Sequence, residues 1–425
     1  MNIPVRGVVV LRAAAFAVAV ATVAITAGLA AGSTSHVSRA SHAAGGTTLT
    51  VWTMEDSKLF TSLVSNFTKQ TGIKVNVNAI PWGNVNDKLT TAVASGNGPD
   101  VVQVGLSLLP SFVSAGALLN LQPYLSKHPG LQSANYLPGV AANKMNPGKK
   151  ILSVPWVSDV RVLFYRSDIL AAAGISKPPT TWTQFYADAA KLAQRGSNQY
   201  GYYIPQWDSA LPVEFTWQAG GSVQDKSGKV TFDTPAFRKA ADFYLSFYKS
   251  KLVPTASDFD QTQGFISGAA PMVISGPYLA GAINGAAPEL KGKWNVALLP
   301  KDKTGTSLFA GSNMGVWYKS KHVAASLRFL DYLAKAKEQL TWFKFSGELP
   351  TLKAALANKS LTADPMVRVY SRQLADAQLL PPLVPQWNEI STDLLNALNS
   401  IVLKGADENT ALAQLNQQVA AAQKK

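Results

Sequence analysis

The sequence predicts an α/β protein of two lobes that opens on a mainly parallel sheet with helices on its faces. Three observations predict it. At 425 residues the chain is longer than a single hydrophobic core readily organises. Its first sixty residues past position 45 alternate strand and helix patterns in the order β-α-β-α-β, the signature of an open sheet with helices on its faces. No repeat of fixed period and no low-complexity linker interrupts the body, so the lobes are expected to be interwoven by several crossings of the chain.

The elements follow in order. Leu49, Val51 and Trp52 lie in a β-rich run that predicts a strand over residues 48–53. Leu59, Phe60, Leu63, Val64 and Phe67 repeat at helical spacing over 57–71, and Gly72 supplies the stop. Ile73, Val75 and Val77 alternate in a second strand over 73–80; a helix over 84–95 ends at Gly96, and 100–105 is a short buried strand. Ligands of such sheets sit beyond the carboxyl ends of the strands, which points to the residues after Trp52 and around Val104 and Gly105. Further on, residues 161–165 read as a strand and 166–173 as a helix stopped by Gly174. Helices are predicted over 183–194 and 235–250, a buried strand over 272–275, one long helix over 324–345, and two more helices from about 389. Residues 264–278 and 311–315 are glycine-rich but lack the lysine and hydroxyl of a phosphate-cradling loop. The 311–315 stretch is expected to mark a hinge crossing, where backbone torsions must change.

Residues 1–45 read as a secretory leader. Arg6 and Arg12 precede an uncharged Ala/Val-rich run over 13–32, followed by a Ser/His/Ala/Gly-rich stretch. A retained anchor is the alternative, since the run is long enough to span a bilayer. Either way the body is expected outside the cytoplasm. There is no cysteine, so disulfides, thiolate metal sites, a cysteine nucleophile and the lipid attachment point of a lipoprotein are all excluded. His36 and His42 lie in the leader, and His128 and His322 are far apart, so neither a metal site, a cofactor nor a histidine triad is expected. Formal charge is +14, or +11 without Arg6, Arg12 and Arg39. The positive residues are scattered, with no basic helix and no interleaved aromatic stripe, so a nucleic-acid partner is not expected.

Several segments, in order, resemble the extracellular solute-binding proteins of sugar ABC importers, the family of the maltose-binding proteins. They are Leu49-Thr50-Val51-Trp52, Thr71-Gly72-Ile73-Lys74-Val75, and Ser95-Gly96-Asn97-Gly98-Pro99-Asp100-Val101-Val102. Val154-Pro155-Trp156 and Leu163-Phe164-Tyr165-Arg166-Ser167-Asp168 come next, then Pro179-Thr180-Thr181-Trp182 and Phe215-Thr216-Trp217 with Gly220-Gly221. Pro271-Met272-Val273-Ile274-Ser275-Gly276-Pro277-Tyr278 and Gly347-Glu348-Leu349-Pro350-Thr351 complete the set, and the resemblance runs over nearly all of 47–420. It implies a type II periplasmic-binding-protein-like fold, each lobe a mainly parallel sheet flanked by helices, with a cleft between the lobes. One lobe would hold 46–158 and 311–355, the other 159–310 and 356–425. The protein would be an exported, monomeric binder of a mono- or oligosaccharide that docks on the membrane permease of an ABC importer and is not an enzyme.

The resemblance also implies site residues. Asp56, with neighbouring Glu55, occupies the polar slot after the first strand, although Asp56 equally suits the cap of the helix at Ser57. Asp159 falls where the family often places a carboxylate, Glu214 just before Phe-Thr-Trp, and Tyr278 where those proteins stack a ring on sugar. No aromatic residue stands over 104–108, where maltose binders have one, which puts maltose itself in doubt. The residue types suit a sugar in any case. An aromatic ring covers the apolar C–H face of a pyranose, and carboxylates and amides engage its hydroxyl rim. On that ground Trp82, Trp156, Trp217 and Trp387 are candidate stacking rings or core residues, and Gln103 and Asn313 are candidate amides at strand ends. Arg161 is read as a surface ion pair, and Trp207 is left open between core and cleft. The rival readings are a same-fold binder of a polyamine, iron complex or glycerol-phosphate-type solute, an exported glycoside hydrolase with two opposed carboxylates, and an envelope scaffold.

Overall fold

The computed structural model describes residues 46–54, 57–81, 84–136, 150–380, 384 and 386–424. The leader reading and the candidates Glu55, Asp56 and Trp82 lie outside the described residues.

Among the described residues ten strands form two sheets. They are β1 (Thr48–Thr53), β2 (Lys74–Ala79), β3 (Val101–Gly105), β4 (Val154–Val160), β5 (Val162–Tyr165), β6 (Met272–Ser275), β7 (Asn295–Ala297), β8 (Ser307–Val316), β9 (Leu349–Pro350) and β10 (Ala377–Leu379). The larger sheet has the order β2-β1-β3-β8-β4-β9, with β10 paired to β8; the smaller has the order β6-β5-β7. The opening β-α-β-α-β is as predicted, and β1 runs parallel to both β2 and β3. The expectation of a mainly parallel sheet in each lobe is corrected. β8 and β4 join the larger sheet antiparallel, and β5 pairs antiparallel with both β6 and β7. The β-α-β pattern reports only on strands joined by crossover helices, and those are β1 to β3.

The predicted long helix over 324–345 is two helices, Val323–Leu333 and Ala336–Ser346. Lys335 is extended (φ −92°, ψ 134°) although no glycine or proline marks the break. The Tyr332 hydroxyl spans it, donating to Leu63 O at 2.9 Å and meeting Glu338 Oε2 at 2.8 Å. The bend lets Phe329, Leu330 and Leu333 on one side and Trp342 on the other reach the same core. The helix Ala210–Gln218 was not foreseen, because all nine of its residues are buried and it carries no amphipathic period.

Separate apolar cores lie to either side of the strands β4 and β8. Trp156 and Val157 of β4 and Met314 and Val316 of β8 pack with Phe60, Phe67 and Trp342. At its other end β4 gives Val160 to a core with Leu279 and Tyr370, and β8 gives Leu308 to one with Phe215 and Trp387. Each strand therefore runs from one core into another. Between those ends the two strands pair through Ser158↔Gly311, Asp159↔Ala310 and Val160↔Phe309. Gly311 has φ +131°, and a Cβ there would stand 2.3 Å from Val157 O, so only glycine lets the strands approach this closely. The Ser158 hydroxyl adds a third segment by donating to Pro350 O at 3.0 Å. Among the described residues no helix is long and apolar enough to cross a membrane.

Candidate functional site

Asp159 and Tyr278 are brought together beside this crossing. Asp159 points from β4 onto the turn Gly276-Pro277-Tyr278, and a Cβ on Gly276 would fall 2.3 Å from Asp159 Oδ2 and 2.4 Å from Oδ1. Its Oδ1 is buried without a hydrogen-bond partner among the described residues. Burial raises the carboxyl to about 6, against the opposing pull of the Arg161 guanidinium and the Val160 N–H. Tyr278 opens the helix Tyr278–Ala286 and is 37% exposed. Its hydroxyl accepts from Ser275 Oγ and from Gln261 Nε2, each at 3.0 Å, so the ring is pinned at its polar end.

Behind Asp159 lies a buried ionic cluster. Arg161 is not the surface ion pair expected of it: its guanidinium grips Asp208 bidentately, at 2.6 and 2.9 Å, and lies 3.6 Å from Glu214 Oε2. Asp208 Oδ1 also accepts the N–H groups of Ala210 and Leu211 at 3.0 and 3.3 Å, which caps the helix carrying Glu214. Glu214 has no exposed surface, so its expected direct contact with a solute is corrected; its Oε1 accepts Leu308 N–H at 3.2 Å instead.

Three of the expected rings are corrected to core positions. Trp156 packs edge-on against Phe60 and at a tilt against Trp342. Trp217 and Trp387 are 5% and 3% exposed and belong to the core around Phe215, which leaves no open face to stack on. The two amides are also buried. Gln103 Oε1 accepts Thr53 Oγ1 at 2.6 Å and Met54 N–H at 3.1 Å while its Nε2 donates to Ser312 Oγ at 2.7 Å. Asn313 Nδ2 donates to Ser153 Oγ at 3.0 Å. These bonds stitch β1, β3 and β8 together rather than presenting donors to a ligand.

Trp207 is the aromatic residue that sequence reasoning left undecided. It is 61% exposed, the most of any large apolar side chain described, and precedes Asp208 directly. Its loop is held on both sides, by Gln206 Nε2 donating to Thr255 O at 2.7 Å and by Asn399 Nδ2 donating to Gln206 O at 3.0 Å. A tryptophan between a proline and a helix-capping aspartate was the available signal.

Strands β4 and β8 of the larger sheet that run from one core into another, with a pinned exposed ring and a carboxylate of partnerless Oδ1 beside them, suit a two-lobed solute receptor. The chain belongs to the bacterial extracellular solute-binding proteins, whose family model matches residues 52–340. It is 25% identical over 384 residues to the diacetylchitobiose-binding protein DasA of Streptomyces coelicolor, covering 87% of this chain and 88% of that one. Among solved structures it is similar to the sugar-binding protein MalE of Xanthomonas citri, at 28% identity and TM-score 0.72, covering 89% of this chain and 97% of that one. A solute-binding protein of Thermotoga lettingae bound with α-D-tagatose shares the fold at TM-score 0.83 and 24% identity, over 89% and 100% of the two chains.

Proposed function

We propose that this chain is an exported receptor, without catalytic activity, that captures a mono- or oligosaccharide between two lobes and hands it to the permease of an ABC importer. The lobes are 46–158 with 311–355, and 159–310 with 356–425. The observation that carries the reading is the pairing of the exposed Tyr278 ring with the partnerless Asp159 oxygen beside the strands that cross between the cores. A ring face and a hydroxyl acceptor side by side match the two surfaces of a pyranose. The sugar-binding relatives support the same class. A sugar hydroxyl donating to Asp159 relieves an acceptor that is otherwise buried unpaired, at a cost of about 1–3 kcal/mol. Trp207 is proposed as a second ring on the same side. A sugar that touches both lobes favours the closed arrangement by its differential affinity.

A thermal-shift screen across chitobiose, galacto- and malto-oligosaccharides and common monosaccharides tests the reading. A ligand at a hundred times its Kd stabilises the folded state by about 2.7 kcal/mol and raises Tm by a few degrees. The active sugar is expected to lose most of its shift against Tyr278→Ala and Asp159→Asn. Polyamines and glycerol phosphate serve as the comparison, and a shift with these alone overturns the carbohydrate assignment.

The same titration carries a pH prediction. The ionised carboxylate of Asp159 accepts two hydroxyls, whereas the protonated form loses that capacity. Since burial sets this group at about 6, sugar affinity is expected to hold above pH 7 and to fall as pH drops through 6. Asp159→Asn is expected to flatten that fall, read by calorimetric titration from pH 5 to 8.

A further inference from the structure

We infer that Glu214 is a proton-operated latch on the crossing strands: ionised, it ties the start of β8 to the helix Ala210–Gln218, and protonated, it releases that tie. This is independent of which solute the protein carries.

The geometry carries the inference. Glu214 is wholly buried, and Oε1 holds the N–H of Leu308, the second residue of β8. Ser307, the first residue of β8, donates its hydroxyl to the carbonyl of Arg161 at 2.8 Å. Arg161 stands between β4 and β5, so one cluster grips the chain at two of its passages between cores. Its charges do not balance. Among the described residues Arg161 is the one cation facing three carboxylates, those of Asp159, Asp208 and Glu214. Asp208 takes two of the guanidinium's five N–H donors in short bonds and is further fixed by two backbone N–H groups. Glu214 is left at 3.6 Å, with Oε2 lacking any hydrogen-bond partner among the described residues. Of the two acids that share Arg161 directly, Glu214 is therefore the one that takes a proton.

The Ser307 hydroxyl also faces Glu214, and the remaining titratable groups facing this cluster are phenols: Tyr203 faces Asp208, and Tyr278 and Tyr370 face Asp159. The buried Tyr202 hydroxyl, without a partner among the described residues, faces Asp208 and Glu214, and Tyr244 and Tyr248 of the packed helix Pro235–Lys249 face Asp208. Burial holds all of these phenols neutral, so none supplies a competing charge near neutrality. Burial, opposed by Arg161 and reinforced by Asp208, brings Glu214 to about 7. Protonation there removes its charge from Arg161 and weakens its hold on Leu308 N–H.

The test needs no ligand. Infrared difference spectra of the full chain between pH 5.5 and 8.5 are expected to show a protonated carboxyl band that disappears with a midpoint near 7. Asp159 contributes a separate component near 6, which Asp159→Asn removes; the component near 7 is expected to survive that change and to be lost in Glu214→Gln. Should Glu214→Gln fail to fold, Asp208→Asn serves instead: freeing Arg161 for Glu214 lowers the midpoint by a unit or more. Because the chain has no cysteine, Lys69→Cys and Lys226→Cys take a unique pair of spin labels. Their distance distribution is expected to broaden below the midpoint and to keep one width in the Glu214→Gln background. A component near 7 that persists in Glu214→Gln, a midpoint unmoved by Asp208→Asn, or a distribution indifferent to pH overturns the latch.

Discussion

Arg161→Ala is expected to cost the fold about 3–5 kcal/mol, more than any other single charge removal in the protein. The substitution deletes the sole cation among the described residues that faces three carboxylates, of which Glu214 is wholly buried and Asp208 is 4% exposed. Neither can regain water without opening the core around Phe215 and Tyr202. The loss is therefore the cost of stranding charges, not the modest net value of the ion pairs. Adding Glu214→Gln to Arg161→Ala removes one stranded charge and is expected to restore part of the stability, so that the two changes are strongly non-additive. Urea unfolding at pH 7.5 reads both effects as shifts in midpoint. A loss under about 1 kcal/mol for Arg161→Ala, in the range of exposed pairs, would mean that the cluster is hydrated and the electrostatic argument wrong.

The same cluster sets a slope of stability with pH. Burial raises Glu214 in the folded chain to about 7, above its ordinary value near 4.5. The folded state thus binds more protons than the unfolded one between those values, and stability falls as pH rises across that window. Above pH 7 the full cost of ionising the buried group is present. In Glu214→Gln the decline of Tm between pH 5 and 7.5 is expected to be shallower.

How much of this was legible in the sequence depends on whether a signal was local. The strands and helices of the opening β-α-β-α-β carry their own periodicity, and the strand at 272–275 is a short apolar run bounded by Pro271 and Gly276. The juxtaposition of Tyr278 and Asp159 was reachable only through family resemblance, since 119 positions separate them and nothing local links them. The tryptophans were harder. Trp156, Trp217 and Trp387 look no different in sequence from a cleft-facing ring; Phe60 and Trp342 reach Trp156 from distant segments, and the core holding Trp217 and Trp387 includes residues as far off as Leu308 and Leu412. Trp207 was undecidable for the converse reason, as exposure is set by the anchors at Thr255 and Asn399. Glu214 shows how a polar residue misleads. A carboxylate beside an aromatic motif suggests a ligand, yet here it is consumed by Arg161 and the backbone of β8. The orientation of the smaller sheet was invisible because β5 and β6 are more than a hundred residues apart and no turn between them fixes a direction.

Gly276→Ala is expected to weaken sugar binding roughly 10- to 100-fold while leaving the fold within about 1 kcal/mol of wild type. The alanine Cβ would stand 2.3 Å from Asp159 Oδ2, 2.4 Å from Oδ1 and 2.6 Å from Cγ, so the carboxylate must swing away. What moves is the free end of a two-torsion side chain rather than backbone, which keeps the structural cost small. What is lost is the acceptor aimed beside Tyr278, and a charge-assisted hydrogen bond is worth about 1.5–3 kcal/mol. Two further variants separate this from a general disturbance of the Gly276-Pro277-Tyr278 turn. With Asp159→Ala already present the Cβ meets no carboxylate, so Gly276→Ala is expected to add little, and the cycle closes with a coupling nearly equal to either single effect. If instead the two losses multiply, residue 276 acts on Tyr278 or on the turn itself, and Asp159 is not the group through which the glycine matters. Calorimetric titration with the saccharide that stabilises the wild-type chain measures all four corners.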